Sequence, residues 1–265
     1  MRVAILGLGE AGGIYAEGFV ARGVDVTGYD PVAAHTPAGV SRRPSIAAAV
    51  ADAELVLSMV GAAASGAVLC ETIDSLPAGA VFADLNTAAP ARKAELADRA
   101  RAAGVSFADV AIMAPVPRAG AATPVLVSGD GADRVAAVWA ELGIPVTDVG
   151  AEAGTAAGLK MLRSVFMKGL AGLVMESVSA AETAGDGAWM RAEIAGELGP
   201  DGAALVDRLI DGTRTHAARR EHEMHDALGY LESLGSETWM TRGTLEWLHA
   251  LAQNPAFPGR AQQHS

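Results

Sequence analysis

A strand, a glycine-rich turn, a helix and a second strand ending in an acid occupy residues 2–30 of the chain. The apolar run at 3–6 is typical of a buried parallel strand, and residues 7–12 follow it with the spacing G-x-G-x-x-G. Such a turn brings the chain close to a pyrophosphate, which also meets the N–H groups of the helix N-terminus. The carboxylate of Asp30 can then accept ribose hydroxyls. The segment predicts dinucleotide binding, with a glycine-rich turn of some other α/β protein as the alternative.

Strand and helix signals alternate with short loops up to about residue 150. The predicted strands are 3–6, 24–29, 55–60, 80–85, 105–112, 125–127 and 145–149, and the predicted helices are 14–21, 47–52, 62–76, 90–103 and 132–142. This pattern predicts the α/β class, with an N-terminal Rossmann domain at 1–150 whose doubly wound sheet is mostly parallel.

The pattern changes after Gly150. Residues 152–184 contain no proline and are apolar nearly all round, which predicts one long buried helix. Its glycines, which each cost up to about 1 kcal/mol of helix propensity, suggest that another backbone approaches closely. Further helices are predicted at 188–197, 202–228 and 238–252. We therefore expect an all-α domain at 151–253 for substrate binding and dimerisation, followed by a flexible tail at 254–265.

Charge and cysteine content exclude several classes of protein. The net charge of −11 argues against nucleic acid as a partner. Cys70 is the only cysteine, so neither an internal disulfide nor a cysteine-based metal site is expected, and the histidine spacing predicts no metal site. There is no charged leader with an apolar segment behind it and no uncharged stretch that would span a bilayer. A cytoplasmic protein without a membrane partner is the expectation.

Two later segments carry a resemblance to a known family. Residues 84–90 read D-L-N-T-A-A-P, and residues 154–164 read G-T-A-A-G-L-K-M-L-R-S. Together with the turn at 7–12, they resemble the β-hydroxyacid dehydrogenases, which include 3-hydroxyisobutyrate and 6-phosphogluconate dehydrogenases. The resemblance implies that 84–90 lies beside a nicotinamide and that Lys160 takes the place of the catalytic lysine. Ser164 stands where the family has asparagine.

A third segment departs from the family pattern. Family members carry a D-x-P-V-S-G-G loop whose serine and glycine amides hold a substrate carboxylate, whereas residues 109–115 here read D-V-A-I-M-A-P. Met113 has no hydroxyl and Pro115 has no N–H to donate. Arg118, in a proline-rich turn just beyond, offers a guanidinium instead. The chain is similar to a divergent branch of the family with an atypical C-terminal helical domain.

Lys160 is the main candidate for chemistry. Its ammonium can hydrogen-bond a substrate hydroxyl and its neutral amine can accept that proton; a lysine that extends to solvent at a domain boundary is the alternative. Ser164, four residues on, shares that helix face, or else bonds its own backbone. Lys168 is two turns from Lys160 and suits the distal end of an anionic substrate, or is simply solvated.

Residues 216–225 form a dense polar cluster in the helical half. His216, Arg220 and Glu223 lie at helix spacing, so they would close the site over an acidic substrate or form a solvated helix face. The substrate-binding candidates in this interpretation are Met113, Arg118, Lys168 and Arg220.

The expected cofactor is NAD, with NADP as the second choice. The carboxylate of Asp30 repels a 2′-phosphate, whereas Arg42 and Arg43 offer charges that would attract one. Asn86, Thr87, Met59 and Val60 end strands on the side where open α/β sheets bind ligands. The candidate cofactor-binding residues are Gly7, Leu8, Gly9, Glu10, Ala11, Gly12, Asp30, Met59, Val60, Asn86 and Thr87.

The sequence thus favours an NAD(P)-dependent oxidoreductase that moves a hydride between nicotinamide and a small or phosphorylated hydroxy acid. In this interpretation Lys160 acts as general acid and base, and the helical half forms a homodimer. An imine or ketone reductase on the same scaffold, or a dinucleotide-binding protein without activity, are the alternatives.

Overall fold

The computed structural model describes residues 1–254, so that the predicted tail beyond Asn254 lies outside the described residues. The chain forms two compact units, Met1–Lys160 and a second one that begins at Met161. The boundary between the two units falls within one long helix.

The first unit contains one sheet with helices between its strands. Its strands are β1 (Arg2–Leu6), β2 (Asp25–Tyr29), β3 (Ser41–Arg42), β4 (Leu55–Ser58), β5 (Val81–Asp84), β6 (Ser106–Ile112), β7 (Val125–Ser128) and β8 (Val146–Asp148). Its helices are α1 (Glu10–Val20), α2 (Ile46–Val50), α3 (Ala62–Ile73), α4 (Pro90–Ala102), α5 (Val116–Ala119) and α6 (Ala132–Glu141), with a 3₁₀ turn at Gly120–Ala122.

The eight strands lie in the order β3-β2-β1-β4-β5-β6-β7-β8. Every neighbouring pair is parallel except β6 and β7. The order reverses at β1, since β2 flanks it on one side and β4 on the other, and such a switch point is where open α/β sheets bind ligands. The prediction of a doubly wound, mostly parallel sheet is confirmed.

Apolar side chains cover both faces of the sheet, which explains why the strands read as apolar runs rather than as alternating ones. On one face, Ile5 of β1 belongs to a cluster with Phe19 and Trp139, whose rings pack edge to face. On the other face, Phe82 stacks on Phe107. The core therefore holds the carboxyl ends of the central strands in fixed positions.

The sequence predicts a strand at β7 but does not predict that this strand runs antiparallel to β6. The connection from β6 contains only the four-residue α5 and a 3₁₀ turn, short of the crossover helix that parallel neighbours use. The chain therefore turns back, and the register places Asp109 beside Ser128. The proline-rich turn expected around residue 115 is the start of α5.

The second unit is helical, as predicted. It contains most of α7 (Thr155–Ala184), followed by α8 (Gly187–Glu197), α9 (Gly202–Thr215), α10 (Ala217–Ser233) and α11 (Trp239–Gln253). Val174, Val178, Val206 and Leu209 belong to its apolar core. The single helix predicted at 202–228 is wrong, because the chain breaks at His216, whose φ of −121° and ψ of 25° lie outside the helical range.

The prediction that α7 is buried all round is also wrong. Leu162, Phe166 and Leu173 are 40%, 67% and 55% exposed, because the helices of this chain cover only part of the helix surface. The expected close approach of another backbone is present at Gly154, where a Cβ would meet the carbonyl oxygen of Pro90 at 2.6 Å, and is absent at Gly169 and Gly172. A Cβ at either position would meet the Thr244 hydroxyl at 3.8 or 3.9 Å, which is ordinary contact with a side chain.

Within the described residues, α7 is the one helix long and apolar enough to cross a membrane by length and composition, and a third of its most apolar window is buried. Core helices of soluble proteins meet the same test. Lys160 and Lys168 of α7 bond to other side chains of the protein, Thr87 and Glu223 respectively. One such helix is weak evidence for a membrane span, and the cytoplasmic location stays a prediction.

Candidate active site

The glycine turn between β1 and α1 is shaped by two close backbone approaches. Gly7 has a φ of +96°, and a Cβ on it would meet the carbonyl oxygen of Met59 at 2.5 Å. A Cβ on Gly12 would meet the carbonyl oxygen of Gly7 at 1.9 Å. By contrast, a Cβ on Gly9 would meet no atom within 4 Å. The turn therefore leaves open space at Gly9, at the N-terminus of α1, where a pyrophosphate fits.

Asp30 directly follows β2 and organises the neighbouring loops. Its Oδ2 accepts from the N–H of Leu8 at 2.7 Å, and its Oδ1 accepts from those of Val32 and Ala33 at 2.7 and 2.8 Å. Partial burial acts to raise the pKa of this carboxyl, but the three N–H donors and the charge of Arg42 outweigh it and lower the pKa below its usual value. Asp30 is therefore anionic at neutral pH, and the Leu8 N–H is bound to it.

Arg42 in the short strand β3 lies beside this carboxylate. Its Nη2 donates to the main-chain carbonyl of Asp30 at 2.6 Å, and its side chain is exposed. Parallel pairing of β3 with β2 places it there, and the N–H of Arg43 bonds Gly28. The Asp30 carboxylate, which repels anions, and the Arg42 guanidinium, which attracts them, therefore both lie where an adenosine ribose binds in such folds.

The ends of β4 and β5 form the next part of the site. Met59 donates its N–H to Leu6 at 2.7 Å, and both Met59 and Val60 pack partly against the core. Asn86 is buried, with its Oδ1 accepting from the N–H of Gly61 at 2.6 Å and its Nδ2 donating to Ser58 at 3.1 Å. The Asn86 side chain is thus used inside the protein, whereas the next residue, Thr87, is exposed.

Lys160 of α7 meets Thr87. Its Nζ donates to Thr87 Oγ1 at 3.1 Å. The first turn of α7 is held from β6 and β7: Asp109 accepts from the N–H of Ala157 at 3.0 Å, and Ser128 accepts from that of Ala156 at 3.1 Å. The end of β5 and the start of α7 are thus placed so that a threonine hydroxyl and a lysine ammonium meet at the carboxyl edge of the sheet.

The segment that replaces the family's anion loop lies at the end of β6. The N–H of Met113 donates to the carbonyl of Pro124 at 2.9 Å, so it is used within the protein. The N–H of Arg118 donates to the carbonyl of Pro115 at 3.1 Å at the start of the short α5, and the Arg118 side chain is exposed. In this region an exposed cation is the side chain suited to an anionic group of a substrate.

Three predicted site residues belong to the second unit, where two of them touch. Lys168 Nζ donates to Ser164 Oγ at 2.9 Å and lies 2.8 Å from Glu223 Oε2. Arg220 Nη1 donates to the hydroxyl of Thr213. Burial lowers the pKa of Lys168, and the ion pair with Glu223 partly opposes this. The Lys168 side chain is 12% exposed, so the solvated alternative is wrong.

The polar cluster at 216–225 is divided by the break before α10. His216 is exposed at that break, whereas Glu223 lies within α10 and pairs with Lys168 and Arg219. Glu221 pairs with His249 of α11 at 2.8 Å. In residues 1–254, no group of three or more His, Cys, Asp and Glu side chains is arranged to hold a metal ion.

Sequence reasoning missed a buried charged group at the carboxyl ends of β5 and β6. Lys93 of α4 lies 3.1 Å from both Asp84 Oδ2 and Asp109 Oδ1, and all three side chains are at most 1% exposed. A signal was present, since two predicted neighbouring strands each carry an aspartate near the carboxyl end. Two buried carboxylates side by side require a cation.

The family model of the NAD binding domain of 6-phosphogluconate dehydrogenase matches residues 2–155, which is more than half of the chain. This match assigns the chain to a family. The chain belongs to the β-hydroxyacid dehydrogenase superfamily. A second model, a domain of unknown function (DUF1932), matches residues 181–251. No curated protein matches the chain in sequence.

Solved structures are similar to the chain over nearly its whole length. A conserved hypothetical protein from Sinorhizobium meliloti 1021 is 32% identical with a TM-score of 0.78, over 100% of this chain and 91% of that one. Mycobacterium tuberculosis 3-hydroxyisobutyrate dehydrogenase, solved with L-serine, is 21% identical with a TM-score of 0.82, over 96% and 94%. A variant imine reductase from Myxococcus stipitatus, solved with NAD+, is 19% identical with a TM-score of 0.69, over 95% and 93%.

The last two likenesses show a shared fold. The superfamily match assigns an NAD-binding domain to the first unit, which agrees with the open space at Gly9 and the carboxylate of Asp30. The expectation of an NAD-binding domain in an oxidoreductase family is thereby confirmed at the level of the family.

Proposed function

We propose that the protein transfers a hydride between nicotinamide and a small or phosphorylated hydroxy acid, with Lys160 as general acid and base. The observation that carries this proposal is the 3.1 Å hydrogen bond from Lys160 Nζ to Thr87 Oγ1 at the carboxyl edge of the sheet. It supports the proposal because ligands of open α/β sheets bind at that edge, beside the glycine turn.

The cofactor supplies one reaction component, the acceptance or donation of hydride at the nicotinamide ring. The remaining chemistry falls to the chain. In the oxidative direction the neutral amine of Lys160 accepts the hydroxyl proton of the substrate, and in the reductive direction its ammonium protonates the alkoxide. Thr87 orients Nζ through its hydroxyl, and the exposed guanidinium of Arg118 serves an acidic substrate group.

NAD is the proposed cofactor in preference to NADP. The Asp30 carboxylate repels a 2′-phosphate, while the nearby Arg42 reduces that repulsion. We expect NADH to bind about tenfold more tightly than NADPH, equal to about 1.4 kcal/mol. Quenching of protein fluorescence by each nucleotide measures this ratio, and tighter binding of NADPH would refute the preference.

The test of the proposed chemistry is Lys160→Ala, with Arg163→Ala as a matched change at an exposed cation of the same helix. The assay follows NADH formation with 3-hydroxyisobutyrate, L-serine and related hydroxy acids. Loss of one general acid-base group lowers kcat by about 10²–10⁴-fold, while NADH affinity stays within a few-fold. Lys160→Ala that turns over as fast as Arg163→Ala would remove Lys160 from the mechanism.

An imine or ketone reductase is the second candidate function. It is favoured by Met113 and Pro115, which supply neither the hydroxyl nor the amide that a carboxylate-binding loop uses. Cyclic imines and ketones with NADH and NADPH separate this candidate from the first one. Tight NADH binding without turnover of any compound would instead favour the dinucleotide-binding protein without activity.

We further propose a homodimer formed through the helical unit. Leu162, Phe166 and Leu173 are exposed at positions four and seven residues apart, so they form an apolar stripe on α7. Phe166→Asp is expected to convert a dimeric mass in light scattering to a monomeric one. Val32→Asp, at an exposed apolar residue of the first unit, is the control, and a monomeric wild type contradicts the proposal.

A further inference from the structure

Lys93 is a fully buried lysine that the proposed chemistry does not use. It projects from α4, and its Nζ is surrounded by three oxygen atoms. It donates to the main-chain carbonyl of Asp84 at 2.8 Å, and lies 3.1 Å from Asp84 Oδ2 and 3.1 Å from Asp109 Oδ1. The two carboxylate contacts are ion pairs rather than well-directed hydrogen bonds. The Lys93 ammonium carries three N–H groups, and three oxygen atoms lie around it.

The two aspartates are direct neighbours in the sheet. Asp84 of β5 pairs with Asp109 of β6 in the parallel register, and both are completely buried. Two adjacent carboxylates without solvent repel each other strongly, and Lys93 lies between them as their shared counter-charge. The cation thereby holds the two carboxylate groups side by side, at the carboxyl ends of strands that are already paired in the sheet.

Each aspartate has a second role on its far side. Asp109 Oδ2 accepts from the N–H groups of Gly154 and Ala157 at 3.1 and 3.0 Å, which fixes the positive end of the α7 dipole. Asp84 Oδ1 accepts from the N–H of Asn86 at 3.2 Å and also from its side-chain amide. One aspartate thus holds the start of α7, and the other holds the loop after β5.

Thr87 belongs to the loop after β5, and Lys160 belongs to the first turns of α7. Thr87 is the residue after Asn86, and Lys160 follows Ala157 by three residues, within one turn of α7. The distance from Lys160 Nζ to Thr87 Oγ1 therefore depends on the separation of the two aspartates. We propose that Lys93, held between Asp84 and Asp109, is a positioning residue that sets this separation, an inference that rests on the proposed role of Lys160.

The test uses Lys93→Met combined with Asp84→Asn, which removes one charge of each sign and keeps an acceptor for Asn86. Arg99→Met, at an exposed ion-paired cation of the same helix, is the matched control. A misplacement of about 1 Å costs up to about 10²-fold, so kcat with 3-hydroxyisobutyrate or L-serine falls about 10–100-fold while KM and the Kd for NADH stay within about 3-fold. A role in overall folding alone does not produce this split.

Hydrogen exchange supplies a second measurement that needs no substrate. Amides at 154–160 are expected to exchange at least about tenfold faster in the double variant, while those of β1 stay as in the wild type. Should the double variant not fold, Asp109→Asn decides, because asparagine keeps an oxygen acceptor for the N–H groups of Gly154 and Ala157 but loses the ion pair with Lys93. Faster exchange at 154–160 in that variant supports the proposal.

Unchanged exchange at 154–160 and a kcat equal to that of Arg99→Met overturn the positioning role. A wild type that turns over neither compound contradicts the proposed function for these substrates but not the role of Lys93. The exchange experiment then decides alone, so the two failures are distinguishable.

Discussion

The two units hold their polar side chains in different ways. In the first unit, side chains at strand ends bind main-chain N–H groups, three at Asp30 and two at Asp109. In the second unit, polar side chains bind one another, as Lys168 does with Ser164 and Glu223, or donate to a carbonyl one turn back in the same helix, as Thr213 does to Leu209. A side chain bound to the main chain fixes the path of a loop, whereas a pair of side chains can change without moving the backbone. The cofactor-binding unit is therefore the more tightly constrained one.

This difference suits the proposed division of labour. A cofactor has the same shape in every turnover, so fixed loops around the glycine turn and Asp30 bind it best. Substrates differ between members of a superfamily, and the helical unit matches a domain model with no function attached. We expect the largest mutational effects where the backbone is constrained, and smaller ones where side chains pair.

The largest effect is expected at Gly12, in the constrained unit. A Cβ there would lie 1.9 Å from the carbonyl oxygen of Gly7, so Gly12→Ala forces α1 and the turn apart. Such overpacking costs about 3 kcal/mol or more, which equals about 100-fold in NADH affinity if the energy falls on the bound geometry. Fluorescence titration with NADH measures it.

Gly13→Ala is the matched control one residue along α1. Its Cβ would meet no atom closer than 3.7 Å, which is ordinary contact. Alanine is also the better helix former by up to about 1 kcal/mol, so affinity and stability should be retained or improved. Equal affinities for the two variants would contradict the claim that backbone approach constrains this turn.

These glycines also show why the first unit could be predicted from sequence. The close approach of Gly7 and Gly12 depends on residue type at fixed spacing, and parallel strands buried on both faces are continuous apolar runs. The doubly wound, mostly parallel sheet and the family therefore followed from local patterns. The direction of β7 did not, because it depends on the length of a connection rather than on the strand's own residues.

The contacts around Lys160 could be predicted only in part. Its place at the sheet edge followed from the resemblance. The proposed support by Lys93 did not, because the ion pairs of Lys93 join residues of α4, β5 and β6, which no sequence spacing relates. The burial of α7 was predicted wrongly for a similar reason. Periodicity shows that a helix is apolar all round but not whether the chain itself supplies enough neighbours to cover Phe166.

A smaller effect is expected from Asp30→Ala. It removes an anionic acceptor from three N–H groups and from the proposed ribose site, so NADH affinity should fall about 10–30-fold in titrations. Asp30→Asn is the conservative comparison, because its single oxygen still accepts from the N–H groups of Val32 and Ala33. An affinity unchanged in both variants would remove Asp30 from the cofactor site.

Asp30 also has a pH signature. Its folded-state pKa lies below the usual 3.8, so the unfolded chain binds the proton more readily. The stability that Asp30 contributes is therefore fully present above 3.8 and is lost as the pH falls through the lower folded value. Urea unfolding of wild type and Asp30→Asn should show a difference that is constant at neutral pH and shrinks in acid.

The smallest effect is expected from Lys168→Met in the second unit. Glu223 keeps Arg219 as a partner and Met replaces the apolar stem, so the free energy of unfolding at pH 7 should change by only about 1 kcal/mol.

The same pair of proteins has a pH signature. Burial lowers the pKa of Lys168 below 10.5, so the unfolded chain binds more protons between the folded value and 10.5. Wild type should therefore gain stability relative to Lys168→Met as the pH rises through that interval, because the buried charge is lost. Arg219→Met removes the other cation that pairs with Glu223 but keeps Lys168, so the stability of wild type relative to Arg219→Met should show no such gain in urea unfolding at pH 7 and 10. A larger loss for Lys168→Met at neutral pH, of the size expected for Gly12→Ala, would mean that side-chain pairs constrain the second unit as strongly as main-chain contacts constrain the first.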